Sequence, residues 1–442
     1  TLGGDFVQNA TYVAYLFAHN DGDGEFGPDS SDQDIIKCGS YTEGSFAQEI
    51  NLGFEPQFML MKITSTSGDW FLFDVMSGFD YSNLKYLRPN SSSAESIFGS
   101  AYVRPTPTGF IAPSGFFGSG ETVIFMAIRR GPLAAPESGT DVFQPHIYTG
   151  DGSTRKYGLN ITPDMVINMS RSTSGDSPAL NDRLRGSGKE LYTSGTGGES
   201  SYPSLGMQFD YTNAIEVQDY RDTNNATYLN LCWKRAPSYF DCLCYTGNGL
   251  AGHTVNHNLT VPPEMIWVKP RETGLSSSDW WVFHKDLSTP SDDSLVLNSN
   301  GAENTGNGAL LWNSTMPTSS VFSLGSYNGV NQSGRDFVAY LFASSDVSKV
   351  GSYTGDANAN QNIDCGFSSG ARFVLIKETS GTGDWYVFDS ERGITTSVAP
   401  SLYLNNTNAE DTFNLIDPLS SGFIAKGGLN QSGNSFIFYA IA

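Results

Sequence analysis

Six carboxylates crowd the stretch "AHNDGDGEFGPDSSDQD", residues 18–34, directly behind the apolar run "YVAYLFA". Oxygen ligands at this density suit calcium, a hard cation that binds carboxylates and carbonyls. The EF-hand spacing fails, however. Counted from Asp21, its invariant glycine position holds Phe26; counted from His19, the first ligand is an imidazole and the closing glutamate position holds Ser30. Two readings stand: a solvated acidic linker, or a joint stiffened by calcium with Asp21, Asp23, Glu25 and Asp29 among the ligands.

A second set of carboxylates repeats along the chain. Glu95, Glu199, Glu303 and Glu410 lie 104, 104 and 107 residues apart, each ending a short run such as "LVLNSNGAE". Asp69, Asp279 and Asp384 each precede a tryptophan, Trp70, Trp280 and Trp385. Glycoside hydrolysis needs two carboxylates set across a sugar, and tryptophan faces stack on sugars. Yet these residues recur at turn positions beside Asn, Ser and Gly, where acidic side chains satisfy backbone donors. The tryptophans recur at a strand start, which points to core packing.

Other chemistry is thinner. His253 and His257 in "HTVNH" copy helical metal-ligand spacing, but the segment reads as loop and strand and no third ligand is nearby. The five cysteines, Cys38, Cys232, Cys242, Cys244 and Cys365, are odd in number and lack paired CxxC spacing, so buried thiols are expected rather than a disulfide scaffold or a zinc site. Cys242 and Cys244 share one face of a strand and are too similarly directed to bridge. No phosphate loop or Ser/His/Asp order is present. These readings lead to a chain with no cofactor other than the calcium of the acidic loop.

The elements that carry these residues are strands. Of 442 residues, 28 are Phe, 21 Tyr and 7 Trp, with 48 Gly dispersed between short apolar runs. The net charge of −21 repels phosphate backbones and anionic lipid, which argues against nucleic-acid and membrane partners. No apolar run reaches the length of a membrane-spanning helix.

Internal repetition sets the organisation. "GSYTEG", "IYTGDG", "CYTGNG" and "SYTGDA" each lead to an apolar strand, "PQFMLMK", "PDMVINM", "PEMIWVK" and "ARFVLIK". Then come "GDWFLFD", "SDWWVFH" and "GDWYVFD", of which the second unit keeps only Gly175 and Asp176. Each unit closes on "TVIFMAIR", "TYLNLCWK", "DFVAYLFA" or "SFIFYAIA". About seven or eight short strands per hundred residues, with regular turn signals, predict an all-β protein of four tandem antiparallel β-sandwiches. The units are placed at 36–133, 134–237 (divergent), 238–346 and 347–442. "TYVAYLFA" at residues 11–18 is a fifth closing strand, so residues 1–35 read as the end of a preceding unit plus the acidic linker. The closing strands are apolar on both faces, although one sandwich core absorbs only one. The other face therefore needs a neighbouring unit or another chain.

Segments like "DQDIIKCGSYTEG", "GFEPQFMLMK", "GDWYVFD", "LYLNNTNAE" and "FVAYLFA", drawn from different units and set in the order that one unit follows, resemble a tandem domain of unknown function found in tail-fibre-like and other virion structural proteins of marine bacteriophages. The resemblance covers residues from about 11 to 442 and is weakest in the second unit. It implies a concanavalin-like or jelly-roll-like sandwich on a virus particle and brings no catalytic residues. The reading that follows is a non-enzymatic phage virion protein, a tail fibre, spike or capsid-surface appendage contacting other virion proteins and the host. A homo-oligomer is expected, a trimer before a dimer. A carbohydrate-binding protein holding a host-surface glycan is the alternative, and a glycan hydrolase the third.

Overall fold

The computed structural model describes residues 10–19, 34–81, 84–98, 103–202, 206–272, 274 and 278–442. It is nearly all β, with 40% of residues in strands and 4% in helix, and its sheets are antiparallel. In the third repeat the large sheet runs Phe240–Thr246, Asp336–Phe342, Met265–Pro270, Trp281–His284, Leu295–Val296. The closing strand thus lies between the first and third strands of its unit and is never an edge. A smaller sheet of His253–Asn256 and Val321–Leu324 covers one face. The other repeats keep this order, with closing strands Thr122–Arg129, Thr227–Trp233 and Ser435–Ile441 between corresponding neighbours.

The period-two alternation divides each closing strand between two cores. In Asp336–Phe342, Phe337, Ala339 and Leu341 pack inside the third sandwich with Phe322 and Leu324 of its small sheet. Val338, Tyr340 and Phe342 point the other way, into a cluster holding residues of the second, third and fourth repeats together. The second apolar face is therefore covered by neighbouring repeats of the same chain.

Volume is conserved across the inner face. A Cβ on Gly39 would stand 2.6 Å from the Phe125 ring, and one on Gly351 would stand 2.6 Å from Phe438. These glycines face phenylalanines on their closing strands. In the third repeat the sizes are exchanged, with Leu243 opposite Ala339. The glycine of "GSYT" is thus a space for an aromatic ring, which close packing requires.

Repeats two, three and four form a closed ring. The Glu199 N–H donates to the Arg271 carbonyl at 2.6 Å, joining the second repeat to the third. Glu303 donates in the same way to Thr379 at 2.9 Å, and Glu410 to Arg171 at 2.9 Å, which returns from the fourth repeat to the second. Three large sheets thus face one another around a common core.

The first repeat has its own core and docks at the side. Tyr81 enters the shared cluster, donating from its hydroxyl to the Cys244 carbonyl at 3.3 Å and from its N–H to that of Leu184 at 2.9 Å. Glu55 accepts two bonds from Arg235, at 2.8 and 2.6 Å.

One expectation is corrected here. Residues 10–19, which include the fifth closing-strand sequence, form no strand and lie exposed, Leu16 at 93% and Tyr15 at 82%. The apolar pattern of a strand is present, but no described strand lies beside it to pair with, and an isolated strand gains little stability in water.

Candidate functional site at the repeat junctions

The repeated residues that suggest chemistry meet at the junctions of the ring. In the "DW…N" motif, Asn298 donates to Asp279 at 2.9 Å and accepts from the Trp280 N–H at 2.8 Å. Asn405, Asp384 and Trp385 repeat this at 2.6 and 2.8 Å, and Asn90, Asp69 and Trp70 at 2.9 and 3.0 Å. The aspartate therefore orients an asparagine that fixes the start of the tryptophan strand. Trp280 and Trp385 are buried. Their indole N–H groups cross to the preceding repeat, Trp280 to the Tyr192 carbonyl at 2.9 Å and Trp385 to that of Val296 at 3.2 Å. Buried in this way, they present no face to a sugar.

Lys269 and Lys377 do similar work. Each is fully buried and reaches the carbonyl three positions before the glutamate of the preceding repeat, Thr196 at 3.2 Å and Asn300 at 3.4 Å. Burial pulls both ammonium groups down to about 8, against weaker opposing pulls from Asp279 at Lys269 and from Glu378 and Asp384 at Lys377.

Two of the four repeated glutamates are clamped by arginines. Glu199 meets Arg271 of the next repeat at 3.0 Å and Arg185 of its own at 3.3 Å. Glu410 meets Arg171 at 2.8 Å and Arg392 at 3.2 Å. Burial raises both carboxyls, but the arginines outweigh it and hold them below the ordinary range. A general acid for glycoside cleavage needs the opposite shift. Glu303 lacks these arginines and takes the Ser288 N–H at 2.8 Å; burial and a bond from Asp293 raise it. Asp293 is itself held by the N–H groups of Thr289 and Gly306, at 2.6 and 3.0 Å. This carboxylate couple is thereby a loop fastener. Glu95 alone is exposed.

The structure does not bring the remaining candidates together. His253 meets Asn331 at 2.9 Å, and His257 meets the Thr318 carbonyl at 3.1 Å. Cys242 and Cys244 are buried free thiols. No cluster of three or more metal-binding side chains occurs among the described residues. Asp21, Asp23, Glu25 and Asp29 lie outside the described residues.

Sequence reasoning missed a buried charge network. Arg235 binds Glu55 as described and Asp241 at 2.7 Å, while Arg130 approaches Glu55 at 3.4 Å. It links repeats one, two and three beside a cavity of 120 Å3 that Phe79, Arg183 and Cys242 help to line. The Asp241 carboxyl is raised by burial, yet Arg235 and Arg130 bring it below its usual value. Arg235 stands in the sequence as an ordinary linker residue in "KRAPSYFD", with no local sign of pairing. Also missed was the polar core of the second sandwich, where buried Asn168 donates to Asn230 at 2.7 Å and to Tyr148 at 2.9 Å.

These features define a class, an all-β tandem-repeat protein with three sandwiches closed on one core and a fourth docked on them. Residues 1–132 and 138–442 match the family model described as a domain of unknown function (DUF7483), and the chain belongs to that family. No curated protein matches it.

Proposed function

We propose that the protein is a non-enzymatic structural component of a phage virion, part of a tail fibre, spike or capsid-surface appendage. One observation carries the non-enzymatic half of this reading: the repeated carboxylates, lysines and tryptophans at the ring junctions are tied to backbone groups or arginines of their own and neighbouring repeats. Such side chains are occupied in holding sheets together and are not free for turnover. The virion half rests on the sequence resemblance. Antibody raised against the purified chain should label intact particles of a phage encoding it in immunogold electron microscopy. Particles that lack the chain by mass spectrometry would refute the assignment.

A carbohydrate-binding reading is favoured by one feature, an open polar cleft of 720 Å3 between repeats two and four lined by Asp141, Gln144, Asn160, Asn213 and Arg372. Polar groups of this kind suit sugar hydroxyls. Binding to a glycan array that Arg372→Ala abolishes would support it, and an array without signal would remove it.

A further inference from the structure

The first repeat carries the same sheet as the other three, but among the described residues no second sheet covers its outer face. In register, Phe58, Leu60, Leu72, Ile124, Met126 and Ile128 occupy the positions of Met265, Trp267, Val282, Val338, Tyr340 and Phe342. The six residues of the third repeat are buried in the shared core. Their counterparts in the first repeat belong to no buried cluster; five are half-buried and Ile124 is 37% exposed. The exposed segment 10–19 does not bury them.

The junction groups are retained as well. Trp70 stands where Trp280 and Trp385 do, and Arg88 where Tyr192 and Val296 supply their acceptor carbonyls. Lys62 matches Lys269 and Lys377, and Ser92 matches Thr196 and Asn300. Glu95 matches the three ring glutamates, and Thr64 matches Arg171, Arg271 and Thr379. The Trp70 indole N–H and the Glu95 backbone N–H find no acceptor among the described residues. Inside the chain, these groups act only when three sheets face one another in cyclic order.

We propose that three copies of this chain associate through the outer sheet faces of their first repeats, in the cyclic arrangement that repeats two, three and four adopt within one chain. Trp70 of each copy then donates to the Arg88 carbonyl of the next and Lys62 to the Ser92 carbonyl of that same copy, whose Glu95 N–H donates back to the Thr64 carbonyl of the first. Two further copies are the occupant the geometry favours. They bring the same face and the same junction groups, and a threefold arrangement satisfies every copy alike. An uncovered apolar face of this kind is otherwise a liability in water. The proposal does not depend on the virion assignment.

Sedimentation equilibrium of the full chain tests it. The expected mass is three times 47.8 kDa, falling threefold in Leu60→Asp and in Ile124→Glu while circular dichroism stays that of the parent. A double variant, Glu95→Cys with Thr64→Cys, should form a covalent trimer under oxidation, because the matching groups inside the chain are within hydrogen-bond reach. A parent chain that is monomeric or dimeric at every concentration overturns the proposal. So does a trimer that survives both face variants and fails to cross-link, since it would assemble elsewhere.

Discussion

Arg171 and Glu410 stand at opposite ends of the three-repeat ring and form a two-bond ion pair, Nε to Oε2 at 2.8 Å and Nη2 to Oε1 at 3.0 Å. The pair closes the ring by joining the fourth repeat back to the second. Arg271 and Glu199 make the same pair at the junction of the second and third repeats.

Arg171→Ala should open that junction first. Hydrogen bonds between charged groups contribute about 1.5–3 kcal/mol each at partly buried sites, and Arg392 keeps part of the compensation at Glu410. A loss of about 2 kcal/mol is expected, read by urea unfolding, with faster hydrogen exchange at the Glu410 N–H. Unchanged exchange at that amide would mean the ring is closed by apolar packing alone.

Arg235→Met should cost more, about 3–5 kcal/mol, because Glu55 and Asp241 would be left buried around a weaker positive charge from Arg130. Proteolysis of the first repeat from the other three should accelerate. A triple variant that also carries Glu55→Gln and Asp241→Asn should recover much of the loss, since the stranded charges are then removed. Failure to recover would assign the effect to lost packing of the arginine stem.

His284 makes the protein acid-sensitive. It is fully buried, and burial lowers its pKa to about 4 from 6.5, with Asp286 opposing weakly. Its Nδ1 accepts the Asp286 N–H at 3.1 Å, which requires that nitrogen unprotonated. Between these values the unfolded chain binds a proton that the folded chain does not, so stability rises with pH across the interval and falls as pH drops from 6.5 towards 4. The contribution is about 3 kcal/mol over the full span. Denaturant midpoints measured through this window should fall, and His284→Gln should flatten the slope. Half-buried His146 and buried His257 shift in the same direction and leave a residual slope.

Ala339→Asp tests the inner face of a closing strand. Ala339 is fully buried opposite Leu243, and a carboxylate there has no partner. A loss of about 4 kcal/mol or more is expected, through desolvation together with crowding of the leucine. A melting temperature equal to the parent's would place the residue at a hydrated edge.

Much of this is legible in the sequence. Strand class, the repeat of the glutamates and the two-faced closing strands follow from local residue pattern, because side-chain alternation and turn chemistry act over a few residues. The place of the repeated acids in turns was legible too. The identity of their partners was not. Arg171 meets Glu410 across most of three repeats, and no local rule selects one distant arginine from another. Arg235 shows the same limit: its sequence neighbours carry no sign that Glu55 of the first repeat lies against it.

Segments 12–18 and 337–343 show where sequence stops and tertiary structure begins. "YVAYLFA" and "FVAYLFA" differ at one position, and the sequence determined that both carry the alternation and the two-sided hydrophobicity of a central strand. Only Asp336–Phe342 is a strand, because Phe240–Thr246 and Met265–Pro270 flank it and take up its backbone groups on both sides. Among the described residues no strand flanks 12–18, which lie exposed. Local pattern sets what a segment can bury and bond; whether it does so depends on the strands that tertiary structure brings alongside, since a strand's hydrogen bonds are made to its neighbours and not within itself.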